Sequence, residues 1–164
     1  MRKTAMVYLI LYNCGMVQEV KRMGIVIDRR AYKLQRVMCA QALFVLENPK
    51  HLPTDVEIIN LGLELSSLAK SVPREKLPSL TNVLEQLLSG KPTDIILDRI
   101  DILFDPVWNV DVLKLLLSVG RNRRLYIAWP GLMLGNILTY SEQGRPDWRA
   151  CEINAYNDLF IIKK

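Results

Sequence analysis

A chain of 164 residues that is 50% apolar is long enough to bury one core and too apolar to be disordered. Its formal charge of +5 is uneven: residues 1–50 hold nine Lys/Arg against three Asp/Glu, and residues 51–164 hold thirteen against fourteen, so the basic excess lies in the first third. Three widely spaced cysteines, Cys14, Cys39 and Cys151, exclude a CxxC metal or redox motif and argue against a disulfide framework, so a reduced, cytoplasmic protein is expected.

At the amino terminus, Arg2 and Lys3 before apolar Ala5 to Leu11 imitate a signal peptide. The run is short, Tyr12 and Asn13 rather than small residues precede Cys14, and no A-x-A site follows, so secretion is not expected. No stretch approaches the roughly 18 uninterrupted apolar residues of a membrane span, and no membrane partner is expected. Ala5 to Tyr12 reads as a buried strand, followed by a turn at Asn13, Cys14 and Gly15. Met16 to Met23 reads as a short helix and Ile25 to Asp28 as a short strand. From Arg29 to Leu46, Leu34, Val37, Met38, Val45 and Leu46 recur at helical spacing, with Arg30, Lys33 and Arg36 on another face. A solvated helix face is the ordinary reading of those cations, and an acidic partner is the other. The first third carries the charge imbalance, so residues 13–55 are expected to pack less tightly than residues 56–130.

Pro49 and Pro53 exclude helix and central strand from the connection between Asn48 and Thr54. The single histidine, His51, sits there with no Ser or Cys placed beside it, so a catalytic triad has no support. Val56 to Leu61 is the next strand and Ser66 to Ser71 a helical turn. Leu80, Val83, Leu84, Leu87 and Leu88 form an amphipathic helix, capped by Ser79 and ended by Gly90. Ile95 to Leu97 reads as a buried parallel strand ending on Asp98. Asp101 and Asp105 are then interleaved with Ile100, Ile102, Leu103 and Phe104 before Pro106. A helix from about Asn109 to Val119, apolar nearly all round, stops at Gly120 and leads to a strand, Leu125 to Trp129. Ile137 to Tyr140 is a strand, Ser141 to Pro146 a turn, Trp148 to Glu152 a helical turn and Leu159 to Ile162 a closing strand. The alternation from 56 to 129 predicts an α/β fold, with Val56 to Leu61, Ile95 to Leu97 and Leu125 to Trp129 parallel in one sheet covered on both faces.

An apolar strand ending in Asp is the Walker B arrangement, in which the carboxylate holds the Mg²⁺ of a nucleotide beside the phosphate loop. An Asp that merely caps a turn looks the same. The residue order around Asp98 adds more. Ile96 to Asp105, ILDRIDILFD, resembles the LLDNIEILFD-like segment of BrxF, the small P-loop-containing protein family of type 3 BREX phage-defence systems. Matching residues follow in order: Arg121-Asn122-Arg123, Ala128-Trp129-Pro130-Gly131, then Leu138-Thr139-Tyr140-Ser141-Glu142 with Gly144 and Pro146. Upstream, INLGLELS from Ile59 to Ser66 is similar to the family's INxxLELS. The resemblance spans roughly residues 56–162 and leaves the first 50 unmatched.

The resemblance implies a single P-loop-NTPase-like domain, three-layer α/β/α with a mainly parallel sheet. Residues 1–55 would be a divergent basic segment and residues 56–164 the family-like core. It implies ATP and Mg²⁺ as cofactors, Asp98 as the Walker B-like ligand of Mg²⁺, Asp101 and Asn122 as further nucleotide-binding positions, and other BREX proteins as partners. The chain departs from the family in two ways. It has no GxxxxGK[ST] string: Gly90-Lys91-Pro92-Thr93 is interrupted by proline, and the interval where the family has its P-loop, CAQALFVLENPKHLP, contains no glycine. Either the first third has diverged or been replaced, or Asn13-Cys14-Gly15 is a degenerate phosphate turn. Without the Lys and hydroxyl contacts, each worth about 1.5 to 3 kcal/mol, Mg-ATP should bind poorly. Secondly, Arg99 stands where many P-loop ATPases carry the Glu that orients water, and Asp101 can replace that Glu only if the chain turns at Arg99. The rival is a binding module without enzymatic activity, in which the basic first third with Arg121, Arg123 and Arg124 touches nucleic acid or an acidic protein.

Overall fold

The computed structural model describes residues 23–71 and 79–163. The strand expected at 5–12, the turn at 13–15 and all but the last residue of the helix expected at 16–23 lie outside the described residues. In chain order the elements are β1 (Ile25–Ile27), α1 (Arg29–Met38), β2 (Ala42–Leu46), β3 (Glu57–Asn60), α2 (Leu61–Ser71), α3 (Leu80–Leu88), β4 (Asp94–Asp98), α4 (Val112–Val119), β5 (Arg124–Ala128), β6 (Leu132–Leu134), β7 (Ile137–Tyr140), β8 (Arg149–Glu152) and β9 (Leu159–Ile162).

Six strands form one sheet in the order β1-β9-β2-β5-β4-β3, every neighbouring pair parallel. The three strands expected to be parallel are β3, β4 and β5, side by side, with Ile59 opposite Leu97 and Leu97 opposite Ile127. A second, antiparallel sheet, β6-β7-β8, stands beside it. The period of two divides the main sheet's side chains between two apolar layers. Leu43, Val45, Ile95, Leu97, Leu125, Ile127, Leu159 and Ile161 share one layer with residues of α2, α3 and α4. Phe44, Ile96, Tyr126, Phe160 and Ile162 form the other, covered more thinly by α1 and by Leu52 and Val56 of the β2–β3 connection. This is an α/β fold with a mainly parallel sheet and few helices.

The helices begin and end where side chains can satisfy their terminal amides and carbonyls. Asp28 accepts from the amides of Arg30 and Ala31 at 2.9 Å to start α1. Ser79 caps α3 through the Asn82 amide, and Gly90 follows it at φ +70°. Asp111 caps α4 through the Lys114 amide, so that helix starts at Val112, three residues later than the apolar pattern suggests, and it ends at Gly120 as expected.

Four sequence readings need correction. Residues 29–46 are not helical throughout: α1 ends at Met38 and Ala42–Leu46 is a strand buried at every position between β9 and β5. Arg124 makes the break possible by donating to the Arg36 carbonyl at 2.9 Å and the Cys39 carbonyl at 3.3 Å, satisfying acceptors at the end of α1. The looser packing expected of residues 13–55 therefore fails for β2, and residues 25–46 build the same sheet as residues 57–162. Residues 149–152 form β8 rather than a helical turn, because β7 offers a paired partner, Leu138 to Cys151 and Tyr140 to Arg149. Finally, Leu61 begins a full helix, α2, where a strand end and a later helical turn were expected: Asn60 accepts from the Leu63 amide at 2.9 Å and caps it.

Candidate functional site

In a parallel sheet the chemistry is expected at the carboxyl ends of the strands. Asp98 ends β4 there, beside Asn60 of β3 in register, and its side chain is exposed. Among the described residues no hydrogen bond or ion pair holds it. The chain does turn at Arg99, whose φ of +56° is left-handed, and runs into a 3₁₀ segment, Ile100–Phe104. The Arg99 side chain lies over Gly62 at the start of α2, where an added Cβ would come within 3.1 Å of the Arg99 Cβ.

The turn brings Asp101 to the same edge, exposed, where it lines an open cleft of about 410 Å³ with Asp105, Asp147, Arg145 and the stacked rings of Phe104 and Tyr140, 4.0 Å apart. Asp98 does not line that cleft. Asn122 is not part of the edge at all. It sits at φ +59° in the turn before β5, at the amino ends of the strands. With Leu97 opposite Ile127, six residues of β5 and its approach separate Asn122 from the level of Asp98, roughly 20 Å at about 3.3 Å per residue. One nucleotide phosphate cannot be held by both.

The resemblance would put a phosphate loop around and after β2, and such loops follow a strand and open a helix. Residues 47–53 follow β2 and open no α-helix, only a 3₁₀ turn, Pro49–His51. The Glu47 amide donates to the Ile162 carbonyl at 3.2 Å, Lys50 to the Asn48 side chain at 3.0 Å, His51 to the Asn48 carbonyl at 3.0 Å and Leu52 to the Pro49 carbonyl at 3.1 Å. Pro49 and Pro53 have no amide to give. Of the seven residues only Asn48 remains, so no run of successive amides can cradle an anion. The first side chain after the strand is moreover a carboxylate, Glu47. The space above is narrow as well: Trp129, just after β5, and Met133 and Leu138 of the antiparallel sheet leave a cavity of about 20 Å³ between Val45, Glu47 and Ile161, room for about one water. Trp129 is pinned there by donating to the Thr139 carbonyl at 2.9 Å and by an edge-on contact with Phe104. Gly131 lets the backbone of Thr139 approach more closely than any Cβ would allow. Among the described residues, the connection after β2 offers Asp98 no cradle of free amides; residues 13–15, the other candidate phosphate turn, lie outside them.

The basic residues fall into two groups. Arg123 donates to the carbonyls of Lys91 and Pro92, and Lys91 pairs with Glu57. Arg124 pairs with Asp94 at 2.6 Å, while Arg36 reaches both Asp94 at 3.3 Å and Asp55 at 3.5 Å and lies over the Tyr126 ring. The Tyr126 hydroxyl also donates to Asp94, and burial pushes its pKa upward. Arg36, Arg123 and Arg124 are thus tied into the fold, whereas Arg30, Lys33 and Arg121 are exposed. Sequence reasoning missed this hub, although a signal was present: Asp94 and Arg124 each stand one residue before an apolar run, and parallel pairing brings them into register.

No family model matches the chain, and neither does any curated protein or any solved structure.

Proposed function

We propose that the protein is a BrxF-like component of a type 3 BREX phage-defence system, built on a P-loop-NTPase-like fold whose nucleotide chemistry has degenerated. The lineage rests on residue order, INLGLELS, ILDRIDILFD, RNR, AWPG and LTYSE in succession over residues 59–142. The parallel sheet and the delivery of Asp98 to its carboxyl edge accord with that lineage. The loss of nucleotide chemistry rests on one observation: after β2, four amides are bonded within the chain and two residues are prolines. ATP and Mg²⁺ are then not working cofactors, and the chain serves the defence complex by binding other proteins of the system.

Calorimetric titration with Mg-ATP and a phosphate-release assay test the chemistry. The expected result is no Mg²⁺-dependent binding in the micromolar range and no turnover, for the wild type and for Asp98→Ala alike. Micromolar, Mg²⁺-dependent binding or turnover that Asp98→Ala abolishes would overturn the degenerate reading. For the defence role, deleting the gene from its genomic locus should raise plaque counts, and Asp98→Ala should restore protection as well as the wild type does. Protection unaffected by the deletion would sink the assignment.

A further inference from the structure

On the face of the sheet opposite α2, α3 and α4, an open cleft of about 770 Å³ lies between α1 and the β2–β3 connection, within the size range of ligand sites. Arg29 and Lys33 form one wall, four residues and about 6 Å apart along α1, and Lys50 faces them from the connection. All three are exposed, and none makes an ion pair among the described residues. Arg36 and Arg124 lie deeper, balanced by Asp94 and Asp55. Five Arg/Lys against two Asp leave the cleft about three charges positive. Tyr32 lines the cleft as well, its ring held edge-on by Phe44 and Tyr126 and its hydroxyl buried on the Tyr126 side.

Unpaired cations on both walls suit a ligand that carries several negative charges. We infer that this cleft is a binding site for a ligand presenting several phosphate groups in a row, contacted by Arg29, Lys33 and Lys50. Two sources supply that chemistry, the backbone of a single nucleic-acid strand and a free polyphosphate chain. The cleft is separate from the carboxyl edge of β4, so the inference stands whether or not Asp98 has any role with nucleotide.

The test uses the full chain and two probes, a fluorescein-labelled 12-nucleotide single-stranded DNA of mixed sequence and inorganic tripolyphosphate, without Mg²⁺. Anisotropy should show binding of the oligonucleotide that weakens steeply between 50 and 300 mM KCl. The triple variant Arg29→Glu/Lys33→Glu/Lys50→Glu should bind at least about tenfold more weakly. Its slope of log K against log salt should be shallower by about 2, at roughly 0.7 for each phosphate that is no longer neutralised. Arg121→Glu and Asp98→Ala should bind as the wild type does, and unchanged far-ultraviolet circular dichroism should show that the triple variant is folded. Displacement of the oligonucleotide by tripolyphosphate at equal phosphate concentration identifies the free polyphosphate as the source, and displacement only at large excess identifies the strand. No binding of either probe at 50 mM KCl, or binding that the triple variant leaves unchanged, would overturn the inference.

Discussion

β4 carries an aspartate at each end, and the structure assigns them opposite weights. Asp94, at the amino end, has a side chain 17% exposed that accepts from Arg124 at 2.6 Å, from Arg36 at 3.3 Å and from the Tyr126 hydroxyl at 3.3 Å. Replacing it with Ala takes the shared carboxylate from two guanidinium groups that are 31% and 22% exposed, leaving Arg36 with Asp55 and Arg124 with the carbonyls of Arg36 and Cys39. Breaking a fully buried ion pair costs about 3 to 5 kcal/mol, and partial exposure and those remaining partners lessen the loss, so about 2 to 3 kcal/mol is expected here. For a chain of this size that is a fall in Tm of roughly 4 to 12 °C. Asp98, exposed and unbonded among the described residues, should change stability by no more than about 0.5 kcal/mol when replaced by Ala. Urea denaturation of wild type, Asp94→Ala and Asp98→Ala, followed by circular dichroism with the slope checked for constancy, measures both. If Asp98→Ala cost more than Asp94→Ala, Asp98 would have structural partners, and the assignment of Asp94 as the strand's anchoring carboxylate would be wrong.

Phe44, fully buried in β2 between Tyr126, Phe160 and Tyr32, tests the corrected place of that strand: Phe44→Ala should cost about 3 to 5 kcal/mol in the same urea assay. A loss under about 1 kcal/mol would mean that β2 is not a central strand. Asn60→Ala removes the cap of α2 and should cost about 1 kcal/mol, whereas Asn60→Asp should be nearly neutral, both read from the urea midpoint. Burial pushes the hydroxyls of Tyr32, Tyr126, Tyr140 and Tyr156 above their ordinary 10.0. The folded chain then keeps protons that the unfolded chain releases, so this contribution is whole below pH 10 and is lost as pH rises through the folded values. The urea midpoint should hold to about pH 9.5 and fall from about pH 10 upward, while absorbance at 295 nm shows tyrosines ionising on unfolding. An unchanged midpoint refutes that reading.

The local chemistry of the chain was enough to identify those elements whose pattern and punctuation agree. α3 has five apolar residues at helical spacing between Ser79 and Gly90, and β4 and β9 are short apolar runs with polar ends, so propensity, period and caps all point one way. The parallel pairing of β3, β4 and β5 followed from the same alternation. Residues 29–46 were misread because Leu34, Val37 and Met38 set a helical period that Val45 and Leu46 happen to continue. The five contiguous apolar residues from Ala42 to Leu46 equally fit a strand buried on both faces, and a short apolar run leaves that choice to its neighbours. β8 is a strand for a similar reason, since its four residues become one only by pairing with β7.

The candidate site divides along the same line. That no glycine-rich loop precedes β3 is visible in the residues themselves, and so is Arg99 in place of a glutamate. Which carboxylates share an edge is a matter of register: Asp98 and Asp101 meet at the carboxyl ends of the strands because Arg99 turns left-handed, while Asn122 falls at the other end of β5. Only the tertiary structure could show that the amides after β2 are already bonded, that Trp129 and Leu138 fill the space above them, and that α1 and the β2–β3 connection bring Arg29, Lys33 and Lys50 to one cleft. Those facts depend on contacts between residues far apart in the chain, which composition and period, being local quantities, do not encode.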